Sequence, residues 1–473
     1  LYGPGAAGGV INIVTKSGSG EPSGSFSLEG GSMDTLRTTL TTSGSKQRLS
    51  YAFVADHYET EGVSAARSGT ETDPHEHDYL QGRLGYALGE GSRLSLFGFK
   101  TTAFSGADSG ASFDSEAVTK EKNYLVRAQW ELTPMNLDWQ STIGFSRKGL
   151  YSEDGFGSYY RGYSTEFDLR MEADFHERLS IGAGVEQTDD RGKQQLAWSP
   201  DQALRLKSWG GYLNGRLEIT DDFFTEVAIR RDDNNHYGGE TTGKVAFTRS
   251  GNGNWRVLGS VGTFIVAPNA FYLANAKNLY SLKPEAGLGY DLGFERSLGK
   301  GRGLASITWF QLETKEQFDW TTWSPSTPSY VVNVDKTKTH GLELELAMDF
   351  SDSLALGLAA TLQKSRDLTD HRDLFSRPEK MFSGTLDWET PDELVGVNLA
   401  FRYVGRRNDA TAQPSPSFTV WDLSSTFAVN ETMDLHVRVE NLFDNDYTEM
   451  VDWNGNWYGA FGRSAFLGVT WRY

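Results

Sequence analysis

The stretch Trp209–Ile219 reads WGGYLNGRLEI. Trp209, Leu213, Leu217 and Ile219 share one parity with small Gly211 and Gly215 between them, while Tyr212, Asn214, Arg216 and Glu218 hold the other. Successive side chains of a strand point to opposite sides, so this segment has one apolar wall and one ionic wall. The same sorting recurs on either side of it. Phe167, Leu169, Met171 and Ala173 oppose Glu166, Asp168, Arg170, Glu172 and Asp174; Leu342, Leu344 and Leu346 alternate with Glu343 and Glu345; Leu435, Val437 and Val439 alternate with His436, Arg438 and Glu440. A soluble sheet gives similar alternation, but its strands run about 5 or 6 residues. These segments run roughly 9 to 15, the length that a tilted membrane-crossing strand needs.

The connections carry the second half of the argument. About 22 segments follow one another from near Ser23 to Tyr473, an even number within the range of bacterial outer-membrane barrels. Every second connection is a short turn of Gly, Asn, Asp, Ser or Pro type: Gly44–Gln47, Gly89–Ser92, Thr133–Asn136, His176–Arg178, Thr220–Asp222, Gly251–Asn254, Gly299–Gly303, Ser351–Ser353, Thr390–Glu393 and Asn430–Thr432. The intervening connections are long: Glu59–His75, Ser105–Thr119, Asp154–Tyr159, Thr188–Ala203, Asp232–Gly239, Ala267–Lys283, Phe318–Pro328, Arg366–Arg377, Arg406–Ser417 and Asp444–Gly459, with a short exception at Gly31–Asp34. The pattern predicts an all-β, transmembrane, up-and-down antiparallel β-barrel of about 22 strands, short turns periplasmic and long loops outside.

Composition fits this reading. Mean hydropathy is −0.48 and the hydrophobic fraction 38 %, compatible with a barrel because only its lipid-facing half must be apolar. No run of about 18 apolar residues exists, which excludes a helical membrane protein. Thirteen Trp and 20 Tyr suit aromatic girdles at the two interfaces. The absence of cysteine suits an oxidising periplasmic route. A net charge of −18 argues against nucleic acid as a partner. No linker or composition shift divides the 473 residues, so one large domain is favoured.

Residues 1–16, LYGPGAAGGVINIVTK, depart from the pattern and read as a tight glycine turn feeding a short buried strand, Val10, Ile11, Ile13 and Val14. This run resembles the end of the plug domain of TonB-dependent outer-membrane receptors. The far end is similar to the same family's closing signature: Glu440, Asn441, Leu442, Phe443, Asp444 and Tyr447, then Gly462, Arg463, Leu467, Gly468, Val469 and terminal Tyr473. Phe264, Ala267, Pro268, Asn278, Leu282, Lys283, Pro284 and Glu285, and then Asn333, His340, Gly341, Leu342 and Glu343, resemble segments midway through these barrels. The resemblance implies residues 1–20 as a plug remnant and 21–473 as the barrel. It further implies a signal peptide, a TonB-binding segment and a plug upstream of Leu1, so the chain is expected to be a fragment. Within the family the run Asn441–Tyr447 looks most like cobalamin and small ferric-siderophore receptors. The implied role is an outer-membrane receptor of a Gram-negative bacterium that captures a scarce nutrient for energy-coupled uptake. Implied partners are the TonB complex, outer-membrane lipid or lipopolysaccharide and the small-molecule nutrient, and the barrel is expected to be a monomer.

Catalysis finds little support, since the eight histidines are scattered and no Cys nucleophile exists. Ligand capture is better supported, because the long loops concentrate rings that offer contact area at low entropy cost. The candidates are Tyr159 and Tyr160 (with Phe156), Phe271 and Tyr272 (with Tyr280), Trp320, Trp323 and Tyr330, and Trp453, Trp457 and Tyr458. An extracellular aromatic girdle would use the same residue types. Asp56, Glu59, Asp73 and Asp78, in a loop that also holds Glu61, Glu71 and Glu76, could hold a structural Ca²⁺, although a solvated acidic loop explains them better, since no EF-hand spacing is present. Lumen charges such as Arg127, Glu131, Arg170, Glu172, Arg216, Glu218, Glu343, Glu345, Arg402, Arg438 and Glu440 would face a plug. Two other readings stay open: a passive porin-like channel if a plug is natively absent, and a soluble β-propeller, against which four strands here span about 80 residues rather than some 40 to 50.

Overall fold

The computed structural model describes residues 3–5, 8–108, 111–112, 114–134, 139–196, 199–277, 282–320, 330–409, 414–452 and 455–473. One antiparallel sheet of 22 strands contains nearly all of its regular structure. Neighbours in sequence are neighbours in the sheet, and the first strand, Ser23–Gly31, pairs with the last, Ser464–Arg472, in register from Ser25↔Arg472 to Gly31↔Phe466. That pairing closes the cylinder and leaves no edge strand, which lipid requires because it offers nothing to bond a free N–H or C=O.

The parity read from the sequence is the parity of the wall. Leu213 is 52 % exposed, Phe167 48 % and Val437 47 %, all on the outer surface, and Asp168 on the opposite face is fully buried. Apolar side chains therefore do not pack into a dry centre. Among the described residues the one compact apolar cluster, Leu273, Leu282 and Val331, sits at the extracellular mouth. The lumen wall is ionic: Arg127 donates to both oxygens of Asp168 (2.8 and 3.0 Å), Arg170 lies 3.2 Å from the same carboxylate, and Arg438 reaches Glu29 at 2.8 Å.

The periplasmic turns fall where the sequence puts them, apart from 135–138, which lie outside the described residues. In the turn after His75–Gly89, Gly91 has φ +69° and a Cβ there would meet the Thr133 carbonyl oxygen at 1.8 Å, so only glycine fits.

Two expected loops are instead strand. Leu179–Leu196 and Ser199–Thr220 continue through Thr188–Ala203, and Phe223–Asn234 and Gly238–Gly251 leave only three residues of the expected loop Asp232–Gly239. These strands run on into water, where neither face needs apolar residues, so the polar sequence there resembles loop while its backbone still pairs. The N-terminal run is corrected as well. Residues 8–19 form no strand, and Ile11, Ile13 and Val14 are largely exposed. Among the described residues no strand pairs with them, and the segment is held at points: Gly5 donates to the Ile265 carbonyl (2.9 Å), lumen-facing Arg83 to that of Thr15 (3.2 Å) and Ser45 N–H to that of Gly20 (2.8 Å).

Candidate functional site

The extracellular ends of the strands carry loops that lock onto one another. Residues 61–74 are tied to 108–116 by Asp108, which accepts from Ala66 N–H (2.5 Å) and Ser64 Oγ (3.3 Å), and by Asp114, which accepts from Thr70 N–H (3.0 Å). The same loop joins the last one through Gly459 N–H to the Ala65 carbonyl (2.9 Å), through an Arg67–Asp446 ion pair, and through Arg67 placed 4.7 Å over the Trp457 ring. On the other side, Asp409 gathers three loops: it accepts from Ser376 Oγ (3.1 Å), from Val451 N–H (3.0 Å) and from Ser415 Oγ, and is almost fully buried. The short helix Ala270–Ala274, started by Asn269 capping Tyr272 N–H (2.8 Å), packs Leu273 against Leu282 and Val331, with Leu204, Leu206 and Phe318 around them.

This rim sorts the candidate rings. Phe271 is exposed at the mouth, and Trp457 and Tyr458 are half-buried where the last loop docks on 61–74 through the Ala66↔Tyr458 bridge. Tyr272 packs its ring 5.0 Å from that of Phe318 in the apolar cluster, and Tyr330 lies under Lys277 Nζ at 5.5 Å. Tyr159 and Tyr160 open the strand Tyr159–His176 and therefore part company. Tyr160 shares the lumen side with Asp168, whereas Tyr159 shares the outer side with Phe167 and stacks on Tyr151 at 6.5 Å, away from the mouth. Trp323, Trp453 and Tyr280 lie outside the described residues, as does the side chain of Trp320.

The four carboxylates read as a calcium set do not converge. Asp56 faces the lumen, accepting from Thr39 Oγ1 (2.5 Å) and Arg37 Nε (3.0 Å). Glu59 and Asp78 face outward beside His57, which lies 2.9 Å from Asp78. Strand parity separates them, since residues 56 and 59 cannot share a face. Asp73 alone joins a loop cluster, with Glu71, Asp108 and Asp114; ligand oxygens of the last three lie within 4.8 Å of one another. Burial, reinforced by these neighbours, pushes the Glu71 carboxyl up to about 7. Burial also raises Asp73, whereas the Thr70 N–H holds Asp114 below the usual carboxylate range. A divalent cation would find three oxygens here, all from loops whose pairing no spacing discloses.

Sequence reading missed a ring patch inside the wall. Tyr79 and Phe99 stack at 6.1 Å with Phe97 6.3 Å further on, and near the mouth Phe418 lies 4.8 Å from Tyr447 with Arg402 5.2 Å above it. The signal was available: Phe97 and Phe99 have the parity opposite to Leu94 and Leu96, which face lipid.

A model of the family described as "TonB dependent receptor-like, beta-barrel" matches residues 24–442. The chain is 23 % identical over 499 residues to "Vitamin B12 transporter BtuB" of Vibrio vulnificus, covering 100 % of this chain and 78 % of that protein. It is 25 % identical over 527 residues to the "Iron-regulated outer membrane virulence protein" of Vibrio cholerae, covering 99 % and 77 %. Among solved structures, the siderophore receptor PirA from Acinetobacter baumannii superposes with TM-score 0.84 at 18 % identity, covering 100 % of this chain and 83 % of that one. The ferric enterobactin receptor PfeA from Pseudomonas aeruginosa gives 0.84 at 14 %, covering 100 % and 84 %. At these identities the structural likeness speaks for the fold.

Proposed function

The chain belongs to the TonB-dependent receptor β-barrel family, an outer-membrane family of transporters rather than enzymes, and from that premise we propose that it captures a large, scarce nutrient chelate of the cobalamin or ferric-siderophore class for TonB-coupled uptake. The observation that supports this most is the rim. Loops tied through Asp409, Asp108 and the Ala66↔Tyr458 bridge hold Trp457 and Tyr458, and the Leu273, Leu282 and Val331 cluster holds the helix of Phe271, around a mouth above an ionic lumen. Rings set in a rigid frame lose little entropy on binding and suit a bulky, partly apolar ligand. Inside the wall, Tyr79, Phe97 and Phe99 extend the same chemistry below the mouth. Residues 3–20 are proposed as the end of a plug, tied to the wall at Arg83 and Ile265, and the TonB contact is assigned to sequence preceding the barrel.

The test is equilibrium binding to the full-length receptor in detergent, read by tryptophan fluorescence, against cyanocobalamin, ferric catecholate and hydroxamate siderophores, and haem. Saturable binding of one chelate, weakened on the order of tenfold by Trp457→Ala, supports the proposal. Failure of every chelate, together with steady ion conductance of the full-length protein in planar bilayers, would replace it with the channel reading.

A further inference from the structure

The two strands that flank the loop 61–74 carry a pair of imidazoles at their extracellular ends. Asp56 faces the lumen, so the parity of the strand Leu49–Thr60 places Tyr58 there too. The register Tyr58↔His77 and Thr60↔His75 then puts both histidines on that face at the start of the strand His75–Gly89. His77 Nδ1 lies 3.3 Å from His75 Nε2. The other nitrogen of each ring is held from outside the pair: His77 Nε2 stands 3.3 Å from Asp56 Oδ1, and His75 Nδ1 stands 2.8 Å from Ser105 Oγ on the next strand. Asp56 is itself fixed by Arg37 Nε (3.0 Å) and Thr39 Oγ1 (2.5 Å). The Tyr58 ring stacks on His77 at 5.3 Å and lies 5.9 Å from the ring of His75, so both half-buried imidazoles sit in a frame.

Where the ring protons sit decides what the pair can do. A carboxylate only accepts, so the Asp56 contact puts the proton of a neutral His77 on Nε2 and leaves a lone pair on Nδ1, the atom that faces His75. The Ser105 hydroxyl accepts as readily as it donates, so His75 can carry its proton on Nδ1 and turn the Nε2 lone pair toward His77. Two nitrogens each about 2.0–2.1 Å from a tetrahedral metal stand about 3.3–3.4 Å apart, which is the separation found here. A far nitrogen that donates to a carboxylate is also the usual setting of a metal-bound histidine, because that contact fixes the tautomer and makes the ligand more basic. We propose that His75 Nε2 and His77 Nδ1 form a two-nitrogen site for a divalent first-row transition metal of the zinc or copper kind, positioned by Asp56 and Ser105 and completed from the lumen by water or by a donor atom of a bound molecule. On the opposite face of the same strands, His57, Glu76 and Asp78 also bring ligand atoms within 4.8 Å of one another, but there both nitrogens of His57 already face carboxylates, Asp78 at 2.9 Å and Glu59 at 3.7 Å. That outward group serves as the control. The site stands on its own geometry and is independent of which nutrient the mouth receives.

The experiment titrates Cu²⁺ alone into the whole chain in detergent, purified without a histidine tag and stripped with chelator, and reads the electron paramagnetic resonance spectrum. The wild type is expected to bind Cu²⁺ with hyperfine splitting from two imidazole nitrogens. His75→Gln and His77→Gln are each expected to abolish the two-nitrogen signal. Asp56→Asn is expected to keep both nitrogens and to weaken binding on the order of tenfold, a split that separates a positioning role from a merely structural one. His57→Gln should change neither the spectrum nor the affinity. A wild-type spectrum without two nitrogens, a two-nitrogen signal that survives His75→Gln or His77→Gln, or its loss in His57→Gln would overturn the site. A heat-modifiable band on gels reports the folded barrel of each variant separately, and the nitrogen count of the wild type decides the site even where a variant does not fold.

Discussion

At the scale of single residues, two carboxylates respond to opposite demands. Asp168 is fully buried in the lumen wall and is paired with Arg127 and Arg170. Removing it leaves Arg127 partly buried without its bidentate partner, so Asp168→Ala is expected to cost about 3 kcal/mol of unfolding free energy, measured by urea titration in detergent, while Glu172→Ala at the exposed end of the same strand costs little. Glu71 is crowded by acids, and its carboxyl sits at about 7 in the folded loop against 4.5 for a free one. A raised carboxyl pKa stabilises the folded loops fully below about 4.5, and that contribution is lost as pH rises through about 7. Hydrogen exchange of residues 61–74 and 108–116, corrected for intrinsic rates, should therefore speed up between about pH 5 and about pH 8. Added Ca²⁺ should restore protection at the higher pH if the cluster takes a cation. Equal protection at both pH values would show that Glu71 is not held in this environment.

At the scale of the element, a strand is a partition between two solvents. Leu213 and Asn214 are neighbours on Ser199–Thr220, one facing hydrocarbon and one facing the lumen. Leu213→Arg is expected to destabilise the barrel by about 2–4 kcal/mol, because a charge near the middle of the apolar band has no water to enter. Asn214→Lys should stay within roughly 0.5 kcal/mol, and parity would be refuted if the two costs came out alike. The same partition explains where sequence reading fell short. Within the membrane the two walls differ and the pattern is legible, while above it both faces of Leu179–Leu196 and Ser199–Thr220 meet water, so Asp189, Arg191 and Lys193 alternate with Asp190, Gly192 and Gln194 without apolar contrast. The N-terminal run shows the converse: Val10–Val14 has strand-forming residues and forms no strand, since β-propensity acts only through a partner.

At the scale of the whole molecule, closure is the decisive event. Leu28 faces Val469 across the seam between the first and last strands. Val469→Pro, which removes a ladder N–H there, is expected to abolish the heat-modifiable folded band, whereas Val469→Ala should preserve it. A 22-stranded cylinder is also too wide for its own side chains to fill. The 473-residue chain reconstituted by itself is accordingly expected to show large, steady conductance in planar bilayers. A closed, non-conducting chain would mean that the segment 8–22 and the loops occlude the lumen by themselves.

By itself the sequence determined the strand count, the inside and the outside of the wall, the side on which the loops lie and the family, because the difference between hydrocarbon and water is written into every second residue. Only the tertiary structure decided which distant residues meet. Asp409 joins Ser376 to Val451, Arg67 meets Asp446 and Trp457, Asp73 belongs with Asp108 and Asp114 rather than with Asp56, and Tyr159 turns its back on the mouth that Phe271 faces. The physical reason is one of range. Parity is a local property that two adjacent residues already express, whereas a loop contact depends on how many strands have been wound between its partners and on the curvature that brings their ends around to one rim.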